Sequence, residues 1–346
     1  MKLKDERFLS YLRDFLTIYL PRQRCFSPHT VKANQDTMNL LLDFVTKEKG
    51  IRLEKITFST INYQTLVDFL CWLEETRCCS PKTINHRLSC IKSFFKYVGL
   101  CQPILSIYWD DLCRVPAKKT GKSLTMEFMS EQALKTVLEQ PDITGKIGIR
   151  DQFFMVLMYD TAARNSELLN LRIGDFYHNS KTPVVYLCGK GNKMRAVPIM
   201  SKTVNHYHKY RQIFHTDSTN DQYMFYTIRR GMKQQMSDDN VARFLRLYGT
   251  KAKEQCNEVP EKIHPHMFRR TRAMHLYRAG MPLALLSEWL GHEDPETSLI
   301  YAFADTEMKR RAIEKATCGD NPLMLEKTPA IWENNEEMIR KLYGLR

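Results

Sequence analysis

The strongest constraint on the fold is a helix-start signal that occurs twice near the beginning of the chain. The segments 27–45 and 80–98 both open with Ser-Pro-x-Thr. Because serine is a favoured N-cap and proline suits the first helical position, Ser27 and Ser80 each predict the start of a helix. Apolar residues recur behind both starts at the spacing of a buried helix face. The first part of the chain is therefore predicted to be helical.

Two further segments, around residues 5–20 and 62–77, are amphipathic at the same spacing. Together with the two repeated helices, they predict a four-helix, all-α domain over residues 1–114. A polar, basic stretch that contains proline and glycine follows at residues 115–126 and predicts a linker.

The region 127–318 has a mixed pattern. Ser130 predicts a helix start, and residues 147–160 are mostly apolar, as is typical of a buried helix. Residues 182–200 predict a β-hairpin that turns at Gly-Lys-Gly-Asn. The predicted fold class is multi-domain and mainly α, with an N-terminal four-helix domain and an α+β second domain that contains a small β-hairpin.

Prolines, glycines and aspartates punctuate the C-terminal part of this region. Gly291 predicts the end of one helix. Asp294 and Asp305 predict the N-caps of helices over residues 295–304 and 306–317.

The charge balance indicates the kind of partner. The chain has 52 Lys and Arg against 39 Asp and Glu, a formal net charge of +13. This excess favours polyanions, because basic side chains that neutralise phosphates release their counterions. No apolar run approaches the ~20 residues that span a bilayer, and the charged N-terminus lacks the apolar core of a signal peptide. We therefore expect a cytoplasmic protein without a membrane partner. The scattered cysteines include no Cys-x-x-Cys pair and indicate no zinc or redox motif.

Four separated groups of polar residues could carry chemistry. In chain order they are Arg164 with Glu167, Lys190 in the hairpin turn, His266 with Arg269, and His292 with Tyr301. The residues of the third group lie three apart in the first turn of a helix, so both side chains share one face. Backbone N–H groups at such a position favour anions.

Each group also has a simpler interpretation. Arg164 and Glu167 could form an ordinary ion pair within a helix, and the hairpin turn lacks the full pattern of a phosphate-binding loop. His264, His266 and His292 could form a metal trio, although no His-Glu-x-x-His pattern supports one. The stretch around the last group could also be a helix-turn-helix that reads DNA.

Taken together and in this order, the groups resemble the motifs of the tyrosine recombinase (phage integrase) family. The family pattern is an arginine in a T-G-x-R-x-S-E-L-like stretch, a hairpin lysine, H-x-x-R, G-H, and a tyrosine about nine residues later. This chain supplies "TAARNSELLNL", "GKGNKMRAVPI", "HMFRRT", "LGH" and "TSLIYAF". It departs from the pattern at Ala162, where glycine is usual, and at Arg270, where histidine often follows the arginine. The resemblance covers nearly the whole chain, because the first domain looks like the family's helical core-binding domain.

The resemblance implies a site-specific DNA recombinase whose second domain is catalytic. Such an enzyme cuts and rejoins double-stranded DNA at specific sites through a covalent 3′-phosphotyrosyl intermediate, without a cofactor or a metal. Tyr301 would be the nucleophile. Lys190 would be the general acid that protonates the leaving 5′-oxygen.

The resemblance also implies roles for the other site residues. Arg164 and Arg269 would bind phosphate oxygens and hold the charge of the transition state. His266 and His292 would contact the scissile phosphate. Glu167 would orient Arg164 or a neighbouring histidine.

The tail 319–346 extends beyond the predicted catalytic domain, and its segment 328–346 has the pattern of an amphipathic helix. In the family that this chain resembles, such a tail docks on a neighbouring protomer. The resemblance therefore implies a homo-tetramer on two DNA sites, with packing of the tail on its own domain as the alternative.

The biological task stays open between integration or excision, transposition of a mobile element, and dimer resolution. Two other activities remain as alternatives, namely a catalytically inactive DNA-binding regulator on the same scaffold and a type IB topoisomerase-like enzyme.

Overall fold

The computed structural model describes residues 8–121, 126–189, 191, 193–216, 218–292 and 294–304, together with residues 310, 313, 314 and 340. Lys190 therefore lies outside the described residues. The same holds for the tail 319–346 except residue 340, and for the predicted helix 306–317 except residues 310, 313 and 314.

The chain divides into two compact units, Met1–Lys122 and Ser123–Arg346. The boundary falls inside the stretch 115–126. Within the described ranges, no helix combines the length and the apolar character needed to cross a membrane.

The first unit is built from helices. They are α1 (Phe8–Asp14), which continues as a π-helical segment (Phe15–Gln23), α2 (Pro28–Lys47), α3 (Tyr63–Glu75), α4 (Pro81–Cys101) and α5 (Ser106–Cys113). The four predicted helices are present, whereas the short helix α5 was not predicted. The apolar faces of these helices enclose one core, in which the rings of Phe8, Phe58 and Phe94 contact one another.

The two repeated helix starts have the same geometry. The hydroxyl of Ser27 accepts a hydrogen bond from the Thr30 amide, and the hydroxyl of Ser80 accepts one from the Thr83 amide, at 3.3 Å in both cases. A proline follows each cap in the first turn. Both predicted N-caps are confirmed.

The second unit contains eight helices among its described residues. They are α6 (Glu131–Leu138), α7 (Lys146–Thr161), α8 (Asn165–Leu169), α9 (Ser201–Phe214), α10 (Asp238–Gln255), α11 (Pro265–Arg278), α12 (Leu283–Leu290) and α13 (Leu299–Ala304). The predicted cap at Ser130 is confirmed, because its hydroxyl accepts from the Ala133 amide at 3.1 Å. The predicted buried helix is α7, whose Phe153 and Phe154 are fully buried.

Two small antiparallel sheets accompany these helices. One has the order β1 (Phe176–Tyr177), β2 (Val184–Cys188) and β3 (Met194–Pro198), and the other is the hairpin β4 (Tyr226–Arg229) with β5 (Met232–Gln235). The β2–β3 pair is the predicted hairpin. The β4–β5 hairpin was not predicted, because its side chains are largely exposed and its sequence lacks apolar alternation.

The predicted turn between Gly291 and residue 304 is also present. Gly291 ends α12 in the left-handed conformation, with φ +62°. The Asp294 carboxylate accepts from the Glu296 amide at 2.9 Å and starts the next helix. That helix is not uniformly α as predicted, because a 3₁₀ turn (Pro295–Ser298) precedes α13.

Candidate active site

Arg164 lies at the junction of α7 and α8. Its guanidinium Nη1 donates to Glu167 Oε1 at 2.8 Å, and its backbone N–H donates to Glu167 Oε2 at 2.8 Å. The predicted pairing of these two residues is present. Glu167 is only 4% exposed. Its buried carboxylate holds both the backbone N–H and the guanidinium group of Arg164.

A second arginine, Arg195 on β3, binds the same carboxylate. Its Nη1 donates to Glu167 Oε1 at 2.9 Å and its Nη2 donates to Oε2 at 2.7 Å. Burial by itself would raise the pKa of Glu167, but the guanidinium groups of Arg195 and Arg164 outweigh burial and hold that pKa below its usual value. The carboxyl group is therefore ionised at neutral pH.

Arg195 was not among the site residues predicted from the sequence. The alternation of side chains along β3 could have identified it, because Arg195 shares a face with the buried Val197 and pairs with the buried Leu187. An arginine on the inward face of a strand requires a buried anionic partner, and here that partner is Glu167.

Arg269 lies in the second turn of α11 and is 2% exposed. It donates to the carbonyl of Ala162, at 2.8 Å, and to the carbonyl of Leu290. It thus joins the end of α7 to the end of α12. Burial and the nearby charge of Arg164 lower the pKa of Arg269 to about 10, so it remains a cation at neutral pH.

His292 and Tyr301 come together across the turn that separates them in the sequence. Their rings are parallel within 4°, with centroids 6.5 Å apart. Nδ1 of His292 lies 2.8 Å from the hydroxyl of Ser298. Burial and the positive charges of Arg269 and Arg164 lower the pKa of His292 to about 4. The imidazole is consequently neutral at neutral pH.

Tyr301 is 4% exposed and packs with Ala162, Met274 and Leu290. Burial raises the pKa of its phenol, and the guanidinium groups of Arg269, Arg270 and Arg164 oppose that rise only in part. Tyr301 is therefore a core aromatic residue in this structure. It also lies within the electrostatic field of Arg164, Arg269 and Arg270, which together with Arg195 form the arginine cluster of the site.

His266 lies one turn before Arg269 on α11, with an exposed surface but with protein atoms crowded around its ring. The loss of hydration at this position, together with the charges of Arg270 and Arg269, lowers the pKa of His266. Its electrostatic interaction with Arg164 and His292 places it at the same cluster.

Three of these residues, Arg164, Arg195 and His292, border a cleft of about 630 Å³. Its lining includes Arg164, Gly189, Lys193, Arg195, Gly291 and His292. Gly189 directly precedes Lys190 in the sequence. Three cations, Arg164, Lys193 and Arg195, line this cleft against two acidic residues, Glu288 and Asp294, and the guanidinium groups of Arg164 and Arg195 share the Glu167 carboxylate. Such a cleft suits an anion such as a phosphodiester.

The metal trio that the sequence left open is not formed. Among the described residues, which include His264, His266 and His292, no three His, Cys, Asp or Glu side chains are grouped so as to hold a metal ion.

Profiles of two known families match the chain. Residues 127–308 match the Phage integrase family, and residues 7–99 match the Phage integrase, N-terminal SAM-like domain. The first match covers more than half of the chain, and both fall in regions with the corresponding folds.

Named relatives align over most of the chain. A putative integrase/recombinase, y4rC, of Sinorhizobium fredii is 29% identical over 307 residues, which cover 88% of this chain and 90% of that protein. The tyrosine recombinase XerC of Oceanobacillus iheyensis is 26% identical over 308 residues, which cover 88% of this chain and 94% of that protein.

Solved structures share the fold. The Tn1549 transposon integrase in complex with transposon right end DNA superposes with a TM-score of 0.63 at 18% identity, covering 88% of this chain and 98% of that one. The XerH site-specific recombinase bound to palindromic difH substrate superposes with a TM-score of 0.62 at 19% identity, covering 85% and 81%.

Proposed function

This chain belongs to the phage integrase family, and we propose that it is a tyrosine site-specific recombinase that cuts and rejoins double-stranded DNA through a 3′-phosphotyrosyl intermediate. The observation that carries the proposal is the convergence of Arg164, Arg269 and His292 on Tyr301. These residues are dispersed in the sequence, and nothing in the packing of an inert core requires three basic groups beside one tyrosine.

The arginines supply the electrostatic part of the reaction. Attack on a phosphodiester adds negative charge to the non-bridging oxygens, and guanidinium forks bind such oxygens while remaining charged. Arg269 is rigidly held by two carbonyl oxygens. The side chain of Arg164 is 34% exposed and borders the cleft. Arg164 would bind the scissile phosphate without a large rearrangement, whereas the buried Arg269 must first become accessible.

Proton transfer is the second requirement. The raised pKa of Tyr301 keeps its phenol protonated at neutral pH, so the proton must pass to solvent or to a neighbouring base as the oxygen attacks phosphorus. The buried side chain must also become exposed before it can reach DNA. In the proposed reaction, Lys190 protonates the leaving 5′-oxygen, while His266 and His292 contact the phosphate.

The relatives and structural neighbours support a proposal about the partner, the assembly and the biological role of this chain. Two relatives are named recombinases, and two neighbours are bound to DNA, one of them a transposon integrase. We extend these properties to this chain as a homo-tetramer that acts in the cytoplasm on two specific DNA sites of a mobile element. Residues 1–114 would serve as its core-binding domain and 127–318 as its catalytic domain.

Covalent capture tests the activity and identifies the DNA site in the same experiment. The full chain is incubated with nicked duplexes whose sequence around the nick is randomised, and adducts that survive denaturation are isolated and sequenced. We expect an enriched sequence and a phosphotyrosyl adduct that Tyr301→Phe abolishes. Tyr277→Phe, which alters a neighbouring half-buried tyrosine in the same apolar cluster, should leave the adduct intact.

The same experiment separates the alternatives. Selective duplex binding without any adduct would support the inactive regulator. Adducts formed without sequence preference, together with relaxation of supercoiled plasmid, would support the topoisomerase-like activity.

A further inference from the structure

The carboxylate of Glu167 is saturated by two arginines. Oε1 accepts from Nη1 of Arg164 and from Nη1 of Arg195, while Oε2 accepts from the Arg164 amide and from Nη2 of Arg195. The geometry of the two guanidinium groups differs. Arg195 binds with both terminal nitrogens, whereas only Nη1 of Arg164 binds the carboxylate and its Nη2 makes a long hydrogen bond, 3.4 Å, to the Gly291 carbonyl.

The two arginines also differ in their surroundings. The side chain of Arg195 is 15% exposed, against 34% for Arg164. Arg195 packs on Gly291 so closely that a Cβ built at that glycine would lie 3.2 Å from its Cδ and Nη1. Arg195 is therefore fixed between Glu167 and the end of α12, and Arg164 is the more accessible of the pair.

We propose that Arg195 is a positioning residue: by pairing bidentately with Glu167, it leaves Nη2 of Arg164 outside the carboxylate, so that the N–H not directed at Gly291 is available to a phosphodiester oxygen. A buried carboxylate with one arginine partner favours the bidentate geometry, because that geometry satisfies both oxygens. Without Arg195, Glu167 would draw both terminal nitrogens of Arg164 to itself, and the phosphate would lose a ligand.

The same contact ties the hairpin to the arginine cluster. Arg195 belongs to β3, and a Cβ at Gly189 would lie 3.4 Å from Glu167 Oε1. Gly189, directly after β2, and Arg195 on β3 thus lie against one carboxylate, on either side of the sequence position of Lys190. Loss of Arg195 would loosen this attachment as well as redirect Arg164.

Four variants test the role: Arg195→Met, Arg195→Lys, Glu167→Gln, and the double variant Arg195→Met/Glu167→Gln. The first readout is binding of inorganic phosphate, monitored by NMR of labelled arginine side chains, and it does not depend on DNA chemistry. The second is the rate of covalent adduct formation with the captured duplex. Affinity for that duplex and the melting temperature serve as controls.

We expect Arg195→Met to weaken phosphate binding and slow adduct formation by about tenfold or more, because a charged hydrogen bond to the phosphate is lost. Duplex affinity should change by less than about threefold, since most of it comes from contacts elsewhere on the backbone. The decisive result is rescue: the double variant should perform better than Arg195→Met, because a neutral amide attracts the Arg164 guanidinium less strongly than a buried carboxylate does. Arg195→Lys, which keeps the charge without the fork, should fall in between.

A double variant as impaired as Arg195→Met, or more so, would overturn the inference, and so would phosphate binding by Arg195→Met equal to that of the unmodified protein. If Arg195→Met does not fold, the comparison of Arg195→Lys with its own Glu167→Gln double variant makes the same test. The inference rests on the proposed function only for the identity of the anion as DNA. An unmodified protein that binds phosphate but forms no adduct would contradict the proposed function, while the phosphate readout would still decide the role of Arg195.

Discussion

At the scale of single residues, the surroundings of His292 set its hydrogen-bonding capacity. A pKa of about 4 leaves the ring neutral, with a single N–H. If the Ser298 hydroxyl donates to Nδ1, across 2.8 Å, the proton resides on Nε2. The histidine then acts as a hydrogen-bond donor to phosphate without adding a further charge to the arginine cluster.

The proton state of His292 is testable by NMR titration of its ring. We expect a midpoint near pH 4 in the free protein. Because this pKa is depressed below the ordinary value of about 6.5, the unfolded chain takes up the proton first, and stability falls as pH drops from about 6.5 towards 4. Added inorganic phosphate should move the midpoint upward by offsetting Arg164 and Arg269. A midpoint near the ordinary value that phosphate does not move would contradict this account.

Arg164 and Arg269 should respond differently to truncation. Arg164→Ala is expected to slow adduct formation by about a hundredfold or more, with the fold and duplex affinity largely retained. Arg269→Ala should also be slow, and in addition it leaves two buried carbonyls without a donor, at a cost of about 1–3 kcal/mol each. Melting curves, adduct rates and duplex affinities measure the difference. Parallel loss of binding and cleavage in Arg164→Ala would contradict its role in the transition state.

At the scale of elements, α7 and α12 both end at a residue in the left-handed conformation, Ala162 and Gly291 respectively. The two sites differ in whether they accommodate a methyl group. Ala162 follows α7 with φ +50°, where the family pattern has glycine. The strain of alanine there is about 1–2 kcal/mol. Its methyl group is fully buried beside Tyr301, which is worth about 0.8 kcal/mol. Alanine also lowers the conformational entropy of the unfolded chain relative to glycine, which stabilises the folded state by about 0.4–1 kcal/mol. These opposing effects nearly cancel.

Ala162→Gly should consequently change the free energy of unfolding by less than about 1 kcal/mol. The matched exchange Gly291→Ala should destabilise by more than about 1 kcal/mol, because it adds left-handed strain at φ +62° and its Cβ meets Arg195. Urea denaturation of both variants gives the comparison. Equal costs at the two sites would show that packing around Tyr301 and Arg195 does not distinguish them.

At the scale of the whole molecule, the expected assembly depends on the tail 319–346. Only residue 340 of it is among the described residues, so its role as a protomer contact remains a prediction from the sequence pattern of 328–346. The apolar side of that pattern includes Trp332 and Leu342. One helix would have too little apolar surface to fold alone, and it requires a partner in the same chain or in another.

Removal of residues 328–346 should abolish the tetramer on two captured sites while leaving binding to a single site intact. Mass photometry of the complexes measures this directly. Trp332→Ala should weaken assembly, whereas Glu336→Ala, a nearby polar substitution, should not. Tetramers that persist after the deletion would show that the tail packs on its own domain.

The local features of this protein follow from residue order alone. Ser27, Ser80 and Asp294 mark helix starts, because the side-chain cap and the amides that it satisfies lie within three residues of each other. Periodicity identified α7 and the β2–β3 hairpin. The order of the basic residues and Tyr301 suggested their common purpose, because the motif pattern is preserved even where Ala162 departs from it.

The hydrogen bonds, pKa shifts and burial of the site residues, by contrast, depend on how remote segments of the chain pack together. Arg195 joins Glu167 across 28 residues, and Arg269 reaches carbonyls at 162 and 290. The pKa of His292 and the burial of Tyr301 arise from the same convergence. Such effects depend on distances between segments that are far apart in the chain and on the loss of water around them. Neither quantity can be read from residue order, since spacing along a helix or a strand determines only its own neighbours.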